Sequence, residues 1–236
     1  MRTDITTIPA SGDERAVKAD LQREYDLRFR SAQQYRTEIW KILIEDFFQP
    51  LIPPSSHVLD LGCGWGEFIN QVDAAKKYGM DLNPESRQRL TADVQFIEQD
   101  CSSDWPLPDK SLDLVFTSNF FEHLREKDDL RRTLAQIHRC LKTGGRLICI
   151  GPNIKYLPGA YWDFWDHYIP LTEQSLKGML ELTGFGIERC TAKFLPYTMV
   201  DKRPAPLSLV RLYLKLPWAW RFFGKQFLVI ARASET

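Results

Sequence analysis

The chain of 236 residues is 44% hydrophobic and 26% charged, which allows one globular domain with a sizeable core and a modest elaboration. Its formal net charge is zero, which removes any global electrostatic case for nucleic-acid binding. Five cysteines without a CxxC pair argue against a disulfide framework or a structural zinc site and fit a reducing, cytoplasmic setting. No run approaches 18 apolar residues, and residues 1–7 lack the apolar stretch of a signal peptide, so neither a membrane span nor a leader is expected. The charge is uneven. Residues 202–234 hold seven basic and no acidic residues, leaving 24 basic against 31 acidic elsewhere.

Residues 1–12 are polar. From Asp13 to about Phe48 apolar residues recur at helical spacing, which predicts one or two helices that end at Pro50, Pro53 and Pro54. Residues 1–50 therefore read as a helical cap on a domain spanning 51–236. Strands are predicted at 57–61, 78–82, 94–98, 111–117 and 146–150. Helices are predicted over 65–75, after Asn83-Pro84 and over 128–141, with Lys142-Thr-Gly-Gly145 as a stop. Strands alternating with helices give a parallel sheet with right-handed crossovers. An aromatic-rich loop or lid follows at 156–168, and then a helix over 172–183 with Thr172 as its N-cap. Strands at 185–190 and 226–231 bracket a long Pro-rich, apolar and basic insertion. The two insertions of the domain lie at about 152–170 and 193–224.

The chemistry concentrates at strand ends. In Val58-Leu-Asp-Leu-Gly-Cys-Gly-Trp-Gly-Glu67 an apolar strand runs through Asp60 into a glycine-rich turn. Gly62 and Gly64 let backbone approach a ligand, and a following helix N-terminus offers free N–H groups. A dinucleotide fold would place glycine, not Glu67, at the sixth position from Gly62. Asp60 and Glu67 suit a cationic ligand carrying an ammonium group better than a pyrophosphate. Asp81 lies 21 residues after Asp60, a spacing at which a carboxylate can accept from both ribose hydroxyls. Asp100-Cys101, after the third strand, can take an adenine amino group.

Six segments in order resemble the class I S-adenosylmethionine-dependent methyltransferases, in the small-molecule, type 11-like branch whose first motif reads roughly D-x-G-C-G-x-G. They are residues 58–68, the strand ends at 79–84 and 96–101, Leu107-Pro-Asp-Lys-Ser-Leu-Asp-Leu-Val-Phe116, residues 118–124 with Glu122-His123-Leu124, and the turn at 141–150. The resemblance covers about residues 55–190. It implies a Rossmann-like α/β fold: a seven-stranded, mostly parallel sheet with the last strand antiparallel and helices on both faces. It also implies S-adenosylmethionine as cofactor. Asp60, Gly62, Cys63 and Gly64 would contact its methionine part, Asp81 and Leu82 its ribose and adenine, and Asp100 and Cys101 the adenine edge. The Asn119 backbone would face the sulfonium. Lys142-Thr143 stands where the family has Lys-Pro.

The sulfonium is already activated, so holding the acceptor in line supplies most of the rate. An oxygen acceptor also needs a general base. His123, after the fourth strand, and His167, in Asp163-Phe-Trp-Asp-His-Tyr168, are the two candidates, while His57 and His138 read as structural. Some quinone-ring O-methyltransferases present Glu, Glu and His to a divalent cation at the spacing of Asn119, Glu122 and His123. Asn119 replaces the first carboxylate, so no metal is expected, activity should persist in excess EDTA, and Glu122 reads as a helix-start carboxylate. Tyr156, Tyr161, Trp162, Phe164, Trp165 and Tyr168 would wall the acceptor site, with Asp163 and Asp166 contacting hydroxyls. Residues 207–224 read as two amphipathic helices on the sheet edge, with an interfacial or anion-binding surface, and so a peripheral membrane contact, as the functional reading. The look is similar to methyltransferases of bacterial surface-polysaccharide pathways. A sugar or glycan hydroxyl is the first expectation for the acceptor, and a quinone or other aromatic hydroxyl the second. A non-catalytic cofactor-binding protein of the same fold is the rival class.

Overall fold

The computed structural model describes residues 33–197 and 205–234. The earlier part of the expected cap, residues 1–32, lies outside the described residues. The rest of the cap is α1 (Gln33–Leu43), continued by a π-helical turn (Ile44–Phe48) and a 3₁₀ turn (Gln49–Leu51) that carries Pro50. The strands are β1 (His57–Leu61), β2 (Lys76–Asp81), β3 (Val94–Glu98), β4 (Leu112–Ser118), β5 (Leu141–Pro152), β6 (Phe185–Thr191) and β7 (Gln226–Ala233). Their order across the sheet is β3-β2-β1-β4-β5-β7-β6. β1 to β5 pair in parallel, and β7 runs antiparallel to both β5 and β6.

Burial on both faces explains why β1, β4 and β5 read as near-continuous apolar runs. On one face α2 (Lys127–Cys140) buries Leu130, Thr133, Leu134, Ile137 and Cys140, the spacing of a single helical stripe. α3 (Glu173–Leu182) joins it there. Thr172 caps α3 as expected: its hydroxyl accepts the Ser175 N–H at 3.0 Å, and the Ser175 hydroxyl accepts the Thr172 N–H at 2.9 Å. On the opposite face lie α1, α4 (Leu207–Leu214) and α5 (Pro217–Phe223), the two helices of the C-terminal insertion. No helix among the described residues is long and apolar enough to cross a membrane.

Three local expectations are corrected. Residues 65–75 form consecutive turns instead of a helix. Gly66 takes φ +74, and a side chain there would collide with Leu90 and Asn70, so the first helical turn is broken before it can propagate. β2 then starts at Lys76, two residues early. After Asn83 the chain makes only a 3₁₀ helix (Pro84–Arg89). Lys142–Gly145, expected as a stop between elements, belongs to β5 itself, with a shift in its register against β4.

The cap is bound to the sheet by aromatic contacts. Phe48 is fully buried and meets Phe116 edge-on at 5.3 Å and Phe68 at 6.3 Å, while Phe68 stacks on Phe116 at 3.7 Å. Arg211 of α4 joins Glu45 and Asp46 at 2.7 Å each. Phe48→Ala should cost about 3–5 kcal/mol of stability, the range for emptying an aromatic core site. Urea unfolding measures this, and a loss below about 1 kcal/mol would mean that the cap is not docked through Phe48.

Candidate active site

β1 has β2 on one side and β4 on the other, so the strand order reverses there. At such a switch point the loops leaving the C-terminal strand ends diverge and open a crevice. Asp60, Asp81, Asp100 and Asn119 all lie at this end of the sheet.

The turn after β1 is held by backbone bonds. The N–H groups of Gly62 and Cys63 donate to the Met80 carbonyl at 2.9 and 3.1 Å. Gly62, Gly64 and Gly66 all have positive φ, between 50 and 74 degrees, where a Cβ is strained. The Gly64 N–H donates to Asp81 Oδ2 at 2.8 Å, and the Asn83 N–H to Oδ1 at 2.9 Å. Asp81 therefore closes the cleft between β1 and β2. Burial raises its pKa above the ordinary carboxylate range, against the lowering effect of these N–H bonds. Asp60 is buried, and its pKa lies well above the usual range, first from burial and then from the nearby Glu67 charge.

Several expected contacts are rearranged. Glu67, read as facing a cationic ligand, is held by Arg36 of α1, whose Nε and Nη2 donate to Oε1 at 3.1 and 2.8 Å. The missing Cβ at Gly62 leaves room for the Phe120 ring, whose edge a side chain there would strike. The Cys63 thiol packs over Gly79 between β1 and β2. The Cys101 thiol accepts from the Thr133 hydroxyl under α2, and burial pushes its pKa up to about 12. Both thiols point into the protein, so Cys63 and Cys101 can offer a ligand only backbone groups. Asp100 is exposed, and its Oδ1 accepts from the Ser102 N–H and hydroxyl at 2.8 and 2.9 Å. Leu82 is exposed at the mouth of the cleft.

After β4 the chain reverses at Asn119, a non-glycine residue at φ 50 whose N–H donates to the Ile150 carbonyl at 2.9 Å. A single 3₁₀ turn (Phe121–His123) follows, and α2 begins only at Lys127. Glu122 is therefore not at the start of a long helix, as the sequence had suggested. It is 1% exposed, and neither carboxylate oxygen has a hydrogen-bond partner among the described residues. Burial lifts its pKa to about 7, against the lowering influence of His123. The Tyr168 and Ile169 N–H groups both donate to the Glu122 carbonyl, at 2.8 and 3.2 Å. That brings the loop after β5 back onto the turn and sets His167 beside His123, with ring centres 5.1 Å apart. His123 Nδ1 lies 2.9 Å from the Asp166 carbonyl and 3.1 Å from its carboxylate. Burial pulls the His123 pKa down, but Asp166 and Glu122 outweigh it and hold the value at about 9.

The expected aromatic wall divides. Tyr161 is fully buried, and its hydroxyl donates to the Ile169 carbonyl. Its ring and that of Phe164 lie 4.7 and 5.0 Å from His167. Trp162, Trp165 and Tyr168 are exposed. His57 and His138 lie away from the cleft and meet the carbonyls of Ser111 and Gly184 at 3.1 Å each. Two grouped residues carried little signal in the sequence. Arg36 is one basic residue among many in the cap, and Phe120 is one apolar residue in a run.

A family model described as a methyltransferase domain matches residues 59–149, from β1 through most of β5. Residues 59–149 are thus a methyltransferase domain. The uncharacterized protein MJ0638 of Methanocaldococcus jannaschii is 30% identical over 188 residues, 75% of this chain and 78% of that one. A demethylmenaquinone methyltransferase of Symbiobacterium thermophilum is 30% identical over 137 residues, 51% of this chain and 53% of that protein, so the match spans about half of that relative. The crystal structure of a SAM-dependent methyltransferase from Archaeoglobus fulgidus shares the fold, with a TM-score of 0.57 at 21% identity over 94% of this chain and 95% of that one.

The turn suits S-adenosylmethionine, the cofactor of the Archaeoglobus fulgidus methyltransferase that shares this fold. The turn has no Cβ at residues 62, 64 and 66, and the buried Asp60 carboxylate gains from a cationic amino-acid group beside it. Asp81, at the end of the next strand, retains lone pairs for hydroxyls beyond the backbone N–H groups of Gly64, Leu82 and Asn83 that it already accepts. Asp81→Ala should weaken S-adenosylmethionine binding by at least about 1.5 kcal/mol, the scale of losing charge-assisted bonds. Calorimetry reads this directly, and an unchanged affinity would remove Asp81 from the ribose site.

Proposed function

We propose that this methyltransferase methylates a hydroxyl of a small-molecule or glycan acceptor, with a sugar hydroxyl first. The observation that carries this reading is the grouping of Glu122, His123 and His167 at the end of β4, with one ligand atom of each within 4.8 Å of the others. A hydroxyl is a weak nucleophile at neutral pH, and a site that methylates it has to accept its proton. A thioether acceptor has no proton to lose and needs no such cluster.

S-adenosylmethionine supplies an electrophilic methyl group on a positively charged sulfur. The acceptor oxygen forms its bond to the methyl carbon as the carbon–sulfur bond breaks, and the electron pair stays on sulfur. The hydroxyl proton is taken up at the cluster, through His167, or through His123 once His123 has given up the proton that Asp166 and Glu122 hold on it. Tyr161 and Phe164 hold the His167 ring in place, and Asp166 orients His123. The exposed faces of Trp162, Trp165 and Tyr168, in the loop after β5, suit the apolar faces of sugar rings. The second reading is a quinone or other aromatic hydroxyl, favoured by the similarity to a demethylmenaquinone methyltransferase.

The acceptor can be presented on a membrane. α4 and α5 expose Leu209, Leu212, Trp218, Phe222 and Phe223, interspersed with exposed Lys215, Arg221 and Lys225. Exposed aromatic and basic side chains on a pair of short helices match an anionic bilayer surface, where rings enter the headgroup layer and cations meet lipid charge. Phosphatidylglycerol vesicles should sediment the protein, and Trp218→Ser with Phe222→Ser should lower the bound fraction at least about tenfold. A wild-type chain left in the supernatant overturns this contact.

His167→Ala should leave cofactor affinity within about twofold and lower turnover by about 10²-fold or more. Turnover is read by mass spectrometry across a panel of glycans and phenols, alongside a cofactor titration. Methylated sugar hydroxyls support the first reading, and turnover confined to phenols replaces it with the second. Full turnover in the His167 variant removes this residue from proton transfer.

A further inference from the structure

We propose that Glu122, His123 and His167 form a binding site for one divalent first-row transition metal, with zinc the best match to two imidazoles and a carboxylate. Three independent features converge on this. The first is spacing. Donors around a zinc ion at about 2.1 Å stand about 3.4 Å from one another, and one ligand atom from each of these residues lies within 4.8 Å of the others. Small side-chain rotations close that gap without moving the backbone.

The second is the state of Glu122. It is 1% exposed, and both its oxygens lack hydrogen-bond partners among the described residues. Buried carboxylates are normally satisfied, because an isolated one costs several kcal/mol. Neither neighbouring imidazole donates to it. His123 turns its Nδ1 to Asp166, not to Glu122. A cation between the three groups takes one Glu122 oxygen as a ligand and offsets the buried charge of the carboxylate.

The third is the support around the ligands. With Nδ1 hydrogen-bonded to Asp166, His123 presents Nε2 as its free donor, the arrangement that fixes the tautomer of metal-binding imidazoles. The two N–H bonds from Tyr168 and Ile169 to the Glu122 carbonyl lock the loop after β5 against the turn after β4, so the distant ligand is already in position. His123 keeps 28% of its side chain exposed, so the cluster is not sealed on every side, as a catalytic metal site requires.

The expectation of no metal counted ligands along the chain and stopped at Asn119. The third ligand comes instead from His167, 44 residues after His123. Metal binding does not depend on which acceptor is used. Its catalytic use rests on the hydroxyl reading above. With metal bound, both histidines are ligands and the proton route changes: an acceptor hydroxyl bound to the metal is acidified, its proton leaves to water instead of to a histidine, and its oxygen then takes the methyl group as the carbon–sulfur bond breaks.

The test uses the full chain, freed of metal by dialysis against chelator and titrated with zinc chloride in a calorimeter and with cobalt chloride in a spectrophotometer. One zinc per chain is expected, with a cobalt ligand-field spectrum of low coordination number. Glu122→Gln, His123→Ala and His167→Ala should each weaken zinc binding at least about hundredfold. Circular dichroism of the metal-free variants checks that each is folded, and Glu122→Gln, which keeps the side-chain shape, serves if a histidine variant is not. No stoichiometric zinc or cobalt binding by the wild-type chain overturns the site, as does binding that survives all three substitutions. If zinc binds but turnover is unchanged in excess chelator, the site stands and its use in activating the hydroxyl is overturned.

Discussion

The Thr117 hydroxyl, fully buried at the end of β4, donates to the Leu61 carbonyl at the end of β1 at 2.9 Å. The two residues are register partners in the parallel pair. A buried bond of this kind is costly to break, because it would strand a carbonyl in a dry core. It therefore fixes where both chains leave the sheet, and every part of the site is placed relative to those two exits. The glycine turn leaves from β1. From β4 the chain reverses at Asn119, lays Phe120 on Gly62 and sends Glu122 inward. Asn tolerates the left-handed conformation better than other non-glycine residues, which permits the reversal without another glycine.

Negative charge is concentrated around these exits. Asp60, Asp81 and Glu122 lie within or at the margin of the protein, and Glu67 is close to Asp60. The protein offsets some of this charge with its own groups. Arg36 holds Glu67, and backbone N–H groups of Gly64 and Asn83 hold Asp81. Asp60 and Glu122 are left with less compensation than burial demands, and burial raises the pKa of both. A carboxylate in that condition favours a positively charged neighbour over water or a neutral ligand. A cationic ligand group beside Asp60 would answer this there.

The strands and the carboxylates at their ends were legible in the sequence because the two signals are local. An apolar run ends where the sheet ends, and a glycine or acidic residue marks the exit. The helix expected over 65–75 failed because periodicity cannot report that Gly66 takes a positive φ beneath Leu90. The pairing of Arg36 with Glu67 spans 31 residues, and that of His123 with Asp166 spans 43. No spacing rule reaches that far. Glu122 and His123 were visible as a pair, but their relation to His167 is created by two backbone bonds in the loop after β5. Backbone donors leave no trace in side-chain identity, so this part of the site could be found only in three dimensions.

That loop separates fixing from exposure along a short stretch of chain. Tyr161 is fully buried and anchored by its hydroxyl to Ile169, and Ile169 is itself bonded back to Glu122. Trp162 and Trp165, close by in sequence, face solvent. A buried residue in such a loop sets the position of His167, because a change there moves the backbone that carries it. Trp162 still meets the Tyr161 ring edge-on at 5.2 Å, whereas Trp165, 91% exposed, can change without disturbing that backbone. A change at Trp165 can therefore alter the loop's surface while the cluster at Glu122 is kept. The division also explains why the chemistry of the fold reads more clearly from this chain than the acceptor does. The carboxylates and the glycine turn are set by strand ends and burial. The exposed aromatic residues proposed above to meet the acceptor lie on a surface where many side chains fit.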